Sequence, residues 1–442
     1  MFRDPLSSSE PTGRAFSRRR FLRLGLGTTA LSLSSAEALN AAVFDSVARL
    51  GRAFPDQESP DGAYWKALRE HYLFEHDLIM MNNGTVGPMP EPVFNTLTST
   101  FKIQCTEPCE VYNTFGARKD EVRAKVARFV GADPGEVALS HNTTEGLSFV
   151  TDGLDFERGD EVLISSLEHM AGISATGLLA KRRGVVVKEV PVGLPPRSVD
   201  EIVSAFEAAI TPRTKLILVS HTVYISGLIS PIKEISEMAH RHGVLVLADS
   251  AHGPGMLDMN LHDTGVDFWA GSPYKWCGAP CGVGIFYVRK DVQERLWPTI
   301  AMSGWDTQPD ARRFETLGQQ ADPLAFALGE AVDFQNTVGK ARIQRRIQTL
   351  ATHLKEGLAE IPKVRLHTSM DPYLSSGLTA FSAPGVDPDE IVNYLRERYN
   401  LVVRTIGNEQ RGTRGVRVST HVFVFQEHVD MLLEGVRQVV TA

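Results

Sequence analysis

The chain has 442 residues, of which 43% are hydrophobic and 22% charged, and its net charge is −7. That is enough apolar material for a large core and for more than one packed region. The charge is uneven: residues 1–38 hold six arginines against three acids, a net of +3, which leaves −10 on the remainder. A body that acidic argues against nucleic acid as a partner.

The basic head has the layout of an export signal. Ser17-Arg18-Arg19-Arg20-Phe21-Leu22-Arg23 precedes a Leu/Gly/Ala/Thr run from Leu24 to Leu33, and Ala36-Glu37-Ala38 is a small-x-small cleavage candidate. The apolar run is about half of the ~20 residues a helix needs to cross a bilayer. Adjacent arginines before a weakly hydrophobic stretch resemble a twin-arginine signal, an address read by the export machinery rather than an anchor. The resemblance implies a periplasmic or secreted protein; a disordered basic arm is the alternative. No other segment is apolar enough to anchor the chain in a membrane. Residues 1–38 are therefore set apart as a signal and 39–90 as an N-terminal segment.

From about residue 91 the pattern alternates strand and helix. Strands are predicted at 137–140, 161–166, 185–191, 215–221, 245–250, 268–272 and 283–288, several of them continuous apolar runs suited to burial on both faces. Ser198 with Glu201 reads as a capping box, and Ser230-Pro231 as the start of a helix ending before Gly243. This α/β alternation predicts a mostly parallel, doubly covered sheet over a large domain at 91–300. A smaller α+β domain follows at 301–442. Its helical stretch runs from Pro323 towards Ile361 with a break near 336–339. Strands are predicted at 364–367, 377–382, 401–406 and 415–420, a helix from Asp387 to Tyr399 and a last helix from Gln426 to Val440. The four cysteines form two i,i+4 pairs, Cys105/Cys109 and Cys277/Cys281. They are expected to be buried small hydrophobes; a disulfide in an oxidising compartment stays open, and no neighbouring residues complete a metal site.

Four stretches at strand ends or helix starts share one chemical logic. His141-Asn142-Thr143-Thr144-Glu145-Gly146 opens a helix, where free N–H groups and hydroxyls suit a phosphate ester, or merely a cap. Glu168-His169 follows the second strand, and an imidazole there could cover a planar ring. Asp249, in Ala248-Asp249-Ser250-Ala251-His252, is an acid at the mouth of a buried strand. It needs a cation such as a protonated pyridine, unless it only accepts loop N–H groups. Gly271-Ser272-Pro273-Tyr274-Lys275-Trp276 offers a lysine among aromatics, exposed or else desolvated into a nucleophile.

In order and position these stretches resemble the class V aminotransferases of the fold type I pyridoxal-phosphate enzymes, in particular the isopenicillin N epimerase-like branch that also holds cysteine desulfurase relatives. The similarity runs from Met81-Asn82-Asn83-Gly84-Thr85-Val86-Gly87-Pro88 to the carboxyl end. Its most specific part is the pair Asp249 and Lys275, 26 residues apart. The resemblance implies a fold type I seven-stranded sheet, a homodimer and pyridoxal 5'-phosphate held by Lys275 as a Schiff base. It further implies Asp249 on the pyridine nitrogen, His169 on the ring face and His252 on the phenolic oxygen. Thr143, Thr144, Ser272 and Tyr274 would hold the phosphate, and Arg417 would grip the substrate carboxylate. Twin-arginine export fits as well, since that route carries proteins already folded around a cofactor.

Departures from the family pattern bear on the reaction. No cysteine follows Cys281, which counts against persulfide chemistry; Phe423-Val424-Phe425 replaces an aromatic-Asn-Thr stretch; Gly318-Gln319 stands for Gly-Thr, leaving phosphate help from a second subunit open. Tyr224 and Trp305 line the substrate pocket or pack in the core. The leading expectation is an exported epimerase or aminotransferase working at Cα of an amino acid or of an amino-acid group in a small peptide, such as a siderophore. A C–S or other β-lyase comes next, then a non-catalytic protein of the same fold. A dehydrogenase is disfavoured because no glycine fingerprint follows the first strand.

Overall fold

Continuous apolar runs bounded by polar turns dictate the central layer. In the computed structural model, which describes residues 33–54, 62–75, 77–407 and 412–441, these runs form one seven-stranded sheet. Its order is Val137–Ser140, Gly284–Val288, Phe268–Gly271, Leu245–Ser250, Thr214–Ser220, Glu161–Ser165 and Val186–Val190. All strands run parallel except Gly284–Val288, which is antiparallel to both neighbours. The six strands ahead of Val186–Val190 in that order are almost wholly buried, while Val186–Val190 at the edge is largely open. The apolar runs thus meet helices on both faces, as parallel packing requires.

Tight helix–sheet approach places the strand ends. The helix Thr143–Gly153 starts three residues after the first strand, capped by Asn142, whose side chain accepts from the Glu145 N–H. At Gly146 a Cβ would come within 2.7 Å of the Ala270 Cβ, so only glycine lets this helix lie on the strand Phe268–Gly271. His169 caps the helix Met170–Arg183. Two caps differ from expectation. Ser198 accepts from the Glu201 N–H, but the Glu201 carboxylate takes the Arg197 N–H instead of completing the box. The Ser230 hydroxyl donates to the Ser220 carbonyl, which leaves Pro231 at the helix start.

The C-terminal part builds a second, antiparallel sheet in the order Arg404–Ile406, Gly415–Ser419, Leu378–Ser382 and Arg365–Leu366. Helices Asp322–Val338 and Lys340–Ala359 are separated at Gly339, whose φ of +97° a side chain would resist. The predicted strand 401–406 is two pieces. Leu401–Val402 leaves the sheet to pair in parallel with Ile79–Met80, tying the N-terminal segment to this part of the molecule. Two cores lie on the two faces of the large sheet. Another joins the small sheet to Tyr64, Trp65, Tyr72 and Met81, and it includes Trp276 from the loop after the strand Phe268–Gly271.

The arginine stretch 17–23 falls outside the described residues, whereas Ala36-Glu37-Ala38 stands in the helix Leu33–Ala53. Among the described residues no helix is long and apolar enough to cross a membrane. The cysteine expectation needs correcting: all four are free thiols, and only Cys277 is buried. In the helix Glu91–Thr106 the buried face carries Thr96. Cys105 lies nine positions on, about half a turn off that face at ~100° per residue.

Candidate active site

Parallel strands bring their carboxyl ends to one edge, and the sheet register places the acid beside the lysine loop. Asp249 pairs with Ala270 and Ser250 with Gly271, and Lys275 follows four residues later. Asp249 is buried, and its Oδ1 accepts the Ala251 N–H at 3.1 Å. Among the described residues it has no ion-pair partner in contact; the positive charges that act on it are those of Lys275 and His169. Burial pushes its carboxyl up, and the Ala251 N–H, Lys275 and His169 oppose the rise in that order. A buried acid at a strand mouth with no partner in contact is suited to a cationic ligand.

The Lys275 Nζ lies 3.5 Å from the His252 Nε2. Burial pushes its amine down to about 8, with Asp249 opposing and Arg417 and Arg404 reinforcing the shift. The loop is pinned from the N-terminal segment: the Gly87 N–H donates to the Tyr274 carbonyl at 2.9 Å, and a Cβ at Gly87 would stand 2.4 Å from the Lys275 carbonyl oxygen. Asn83 also donates to that oxygen at 3.4 Å. His252 is buried and held well below the ordinary histidine range, chiefly by burial, so its ring is neutral.

Beside the lysine loop, the Thr143 and Ser272 hydroxyls share a 2.7 Å hydrogen bond, and the Thr143 N–H reaches the Ser272 oxygen at 3.3 Å. Thr144 is exposed at the same helix start, and Tyr274 is half-buried. Two hydroxyls and a helix N-terminus offer the donors a phosphate ester takes. His169 is exposed with its Nδ1 accepting from the Ala171 N–H, and its ring meets Tyr224 edge-on at 4.9 Å. Partial desolvation of the ring holds its imidazole down first, and Asp249 opposes this.

Arg417 is buried on the strand Gly415–Ser419. It donates to the Tyr224 carbonyl, the Asn82 side-chain oxygen and the Thr85 hydroxyl, each at 3.2 Å, and among the described residues its Nε has no acceptor. Arg404 stands directly opposite on the neighbouring strand and shares Thr85. Two guanidinium groups facing each other repel unless an anion joins them. Beneath His169, the buried Glu168 accepts from the Ser165 hydroxyl and from the Ser220 N–H and hydroxyl.

The structure therefore gathers Thr143, Thr144, His169, Asp249, His252, Ser272, Tyr274, Lys275 and Arg417 along one edge of the large sheet and its junction with the small one. Of the two aromatic residues left open, Tyr224 stands at the site, while Trp305 is half-buried near Trp297. Asn82, Thr85, Arg404 and Trp276 are additions. The first two lie within the stretch 81–88 that carries the family resemblance, yet they gain a role only through their contacts with Arg417. The residues fit pyridoxal phosphate: an amine of lowered basicity, an acid awaiting a cation, hydroxyls at a helix start and a neutral imidazole between them.

The aminotransferase class V family model matches residues 107–432. The isopenicillin N epimerase of Streptomyces clavuligerus is 30% identical over 390 residues, covering 84% of this chain and 98% of that protein. A probable cysteine desulfurase of Methanothermobacter thermautotrophicus is 28% identical over 390 residues, covering 82% and 95%. Among solved structures, the apo cysteine desulfurase of Thermococcus onnurineus NA1 shares the fold with a TM-score of 0.76 at 23% identity, over 85% of this chain and 98% of that one. The cystine C-S lyase C-DES with its product cysteine persulfide does so with a TM-score of 0.75 at 24% identity, over 82% and 98%. The chain belongs to the aminotransferase class V family, and its cofactor is pyridoxal 5'-phosphate, which the residues gathered at this sheet edge fit.

Proposed function

We propose that this protein is an exported, homodimeric enzyme of the epimerase or aminotransferase type. It acts at Cα of an amino acid or of an amino-acid group within a small peptide. The observation that carries this reading is the Lys275 amine, half-buried, adjoining His252 and under the charges of Asp249 and Arg417. Export to the periplasm or beyond is supported by the arginine-rich head of the sequence, and a secreted metabolite such as a siderophore peptide suits that destination.

Pyridoxal phosphate supplies an electron-withdrawing ring that makes the Cα–H bond of an attached amino acid acidic. Lys275 would be its covalent anchor and, once freed by substrate, would move the Cα proton at Nζ. The Asp249 carboxylate would keep the ring nitrogen protonated. Thr143, Thr144, Ser272 and Tyr274 would hold the phosphate, His169 would cover the ring, and His252 would donate to its phenolic oxygen. The Arg417 fork would bind the substrate carboxylate, with Asn82 and Thr85 holding the guanidinium in place.

A second reading, C–S or other β-lyase chemistry, is favoured by the cysteine desulfurases among the relatives. Against the desulfurase form of it stands the lack of any cysteine beyond Cys281. A panel of amino acids and 2-oxo acids with product mass spectrometry separates these outcomes. An oxo acid formed stoichiometrically means transfer, and solvent deuterium entering Cα without other change means epimerisation. Sulfide, or ammonia released together with pyruvate, means elimination and overturns the leading reading. A purified holoprotein with no visible absorbance, or a Lys275→Ala variant that keeps it, overturns the cofactor assignment.

A further inference from the structure

We propose that Trp276 is a positioning residue that fixes which ring nitrogen of His252 carries the proton. It would leave Nε2–H as a donor aimed at the Lys275 amine and at the cofactor's phenolic oxygen. The Trp276 indole N–H lies 3.1 Å from the His252 Nδ1, and both side chains are buried. An indole nitrogen can only donate, so Nδ1 must present its lone pair. A neutral ring with Nδ1 unprotonated carries its hydrogen on Nε2, the atom 3.5 Å from the Lys275 Nζ. Neutrality follows from burial, reinforced by the charges of Lys275, Arg417 and His169.

The consequence reaches the reacting amine. An Nε2–H can donate to a neutral Lys275 amine but offers nothing to an ammonium, so the fixed tautomer favours the nucleophilic form. The lock is held from the core of the small sheet. Trp276 is fully buried in the core of the small sheet and stacks on His421 at 5.6 Å with an interplanar angle of 27°. Its carbonyl receives the His421 Nε2 at 3.1 Å and the Gln335 amide at 3.3 Å. The residue beside the lysine thus belongs to one core while the lysine faces the site, and the indole cannot turn without disturbing His421.

Nitrogen NMR of the cofactor-free protein with labelled histidine reads the tautomer directly and does not depend on the cofactor assignment. The expected result is a hydrogen-bonded, pyridine-type Nδ1 and a pyrrole-type Nε2 for His252, with Trp276→Phe weakening the Nδ1 hydrogen-bond signature. A protonated Nδ1 in the unaltered protein overturns the proposal even if the Trp276 variant fails to fold. A second arm rests on the pyridoxal phosphate reading. In the holoenzyme, Trp276→Phe should move the pH midpoint of the visible band by about one unit, the scale of one hydrogen bond to a charged or polarised group. A glutamine at 252 brings its own N–H donors and needs no tautomer, so the same change made in a His252→Gln background should leave the midpoint in place. An equal movement in both backgrounds reveals mere packing and sinks the idea. Failure to form any visible band strikes the cofactor reading, leaving the NMR result to decide this one.

Discussion

A protonated lysine has no lone pair to offer an aldehyde, so the acidity of Lys275 controls how fast the site can be loaded. Burial pushes this amine from 10.5 down to about 8. At pH 7.5 an ordinary lysine is ~0.1% neutral and one at about 8 is ~24% neutral, a gain of roughly 240-fold in reactive amine, equivalent to about 3 kcal/mol. Mixing cofactor-free protein with pyridoxal phosphate between pH 6 and 10 and following the visible band tests this, with a free lysine derivative as the reference. The protein's own rate should rise about tenfold per pH unit below ~7 and level off near 8, while that of the reference keeps climbing to about pH 10. The variants should move the plateau in opposite directions. Asp249→Asn removes the charge that raises the amine and lowers the plateau pH; Arg417→Gln removes one that depresses it and raises the plateau pH. A rate that still climbs tenfold per unit between pH 8.5 and 10, or two variants that shift alike, would refute the reasoning. The sign for stability follows from proton counting. From about pH 8 to 10.5 the unfolded chain holds this proton and the native protein does not, so the cofactor-free protein gains stability as pH rises through that window.

Asp249→Asn should keep the visible band, because the amine remains, yet lower turnover by about 10²–10³, the usual loss when one electrostatic stabiliser is removed. Steady-state kinetics beside the absorption spectrum checks both halves. Arg417→Gln should raise KM for a carboxylate substrate roughly 10- to 150-fold, the equivalent of a charged hydrogen bond of about 1.5–3 kcal/mol, and leave amines without a carboxylate unaffected. Burial pushes Glu168 up to about 7 against its serine hydrogen bonds. Between about pH 4.5 and 7 the native protein keeps a proton that the unfolded chain has lost, so this group's contribution to stability falls as pH rises. Urea unfolding at pH 5 and pH 8 should show Glu168→Gln gaining on the unaltered protein at the higher pH, by at most about 3 kcal/mol.

Much of the scaffold was legible because burial on both faces writes unbroken apolar runs. The predicted strands at 137–140 and 245–250 coincide with the observed ones, and 161–166, 185–191, 215–221, 268–272 and 283–288 differ by a residue or so at an end. Positions that depend on distant partners were less so. The break at Val403 exists because Leu401–Val402 pairs with Ile79–Met80, more than 300 residues earlier, and no local pattern records that. Arg404 faces Arg417 through cross-strand register, which one strand cannot reveal by itself. Cys105 and Cys109 were misread because composition says that cysteine is buried on average, while helix phase decides the individual case.

Within the site, the legible residues were those whose chemistry is costly without a cofactor: an acid at a buried strand mouth and a lysine in a tight aromatic loop. Such groups contradict their surroundings, and that contradiction is visible in a sequence. Residues that only steer them leave no such mark. Trp276 reads as a core aromatic, and so it is; its indole N–H acquires meaning only when the His252 Nδ1 is found 3.1 Å away. Asn82 and Thr85 read as a turn until Arg417 is seen to rest on them. The choice between moving a proton, moving an amino group and expelling a substituent depends on this second kind of residue. That is why the residues that fit the cofactor stand out in the sequence, whereas those that would steer the reaction do not.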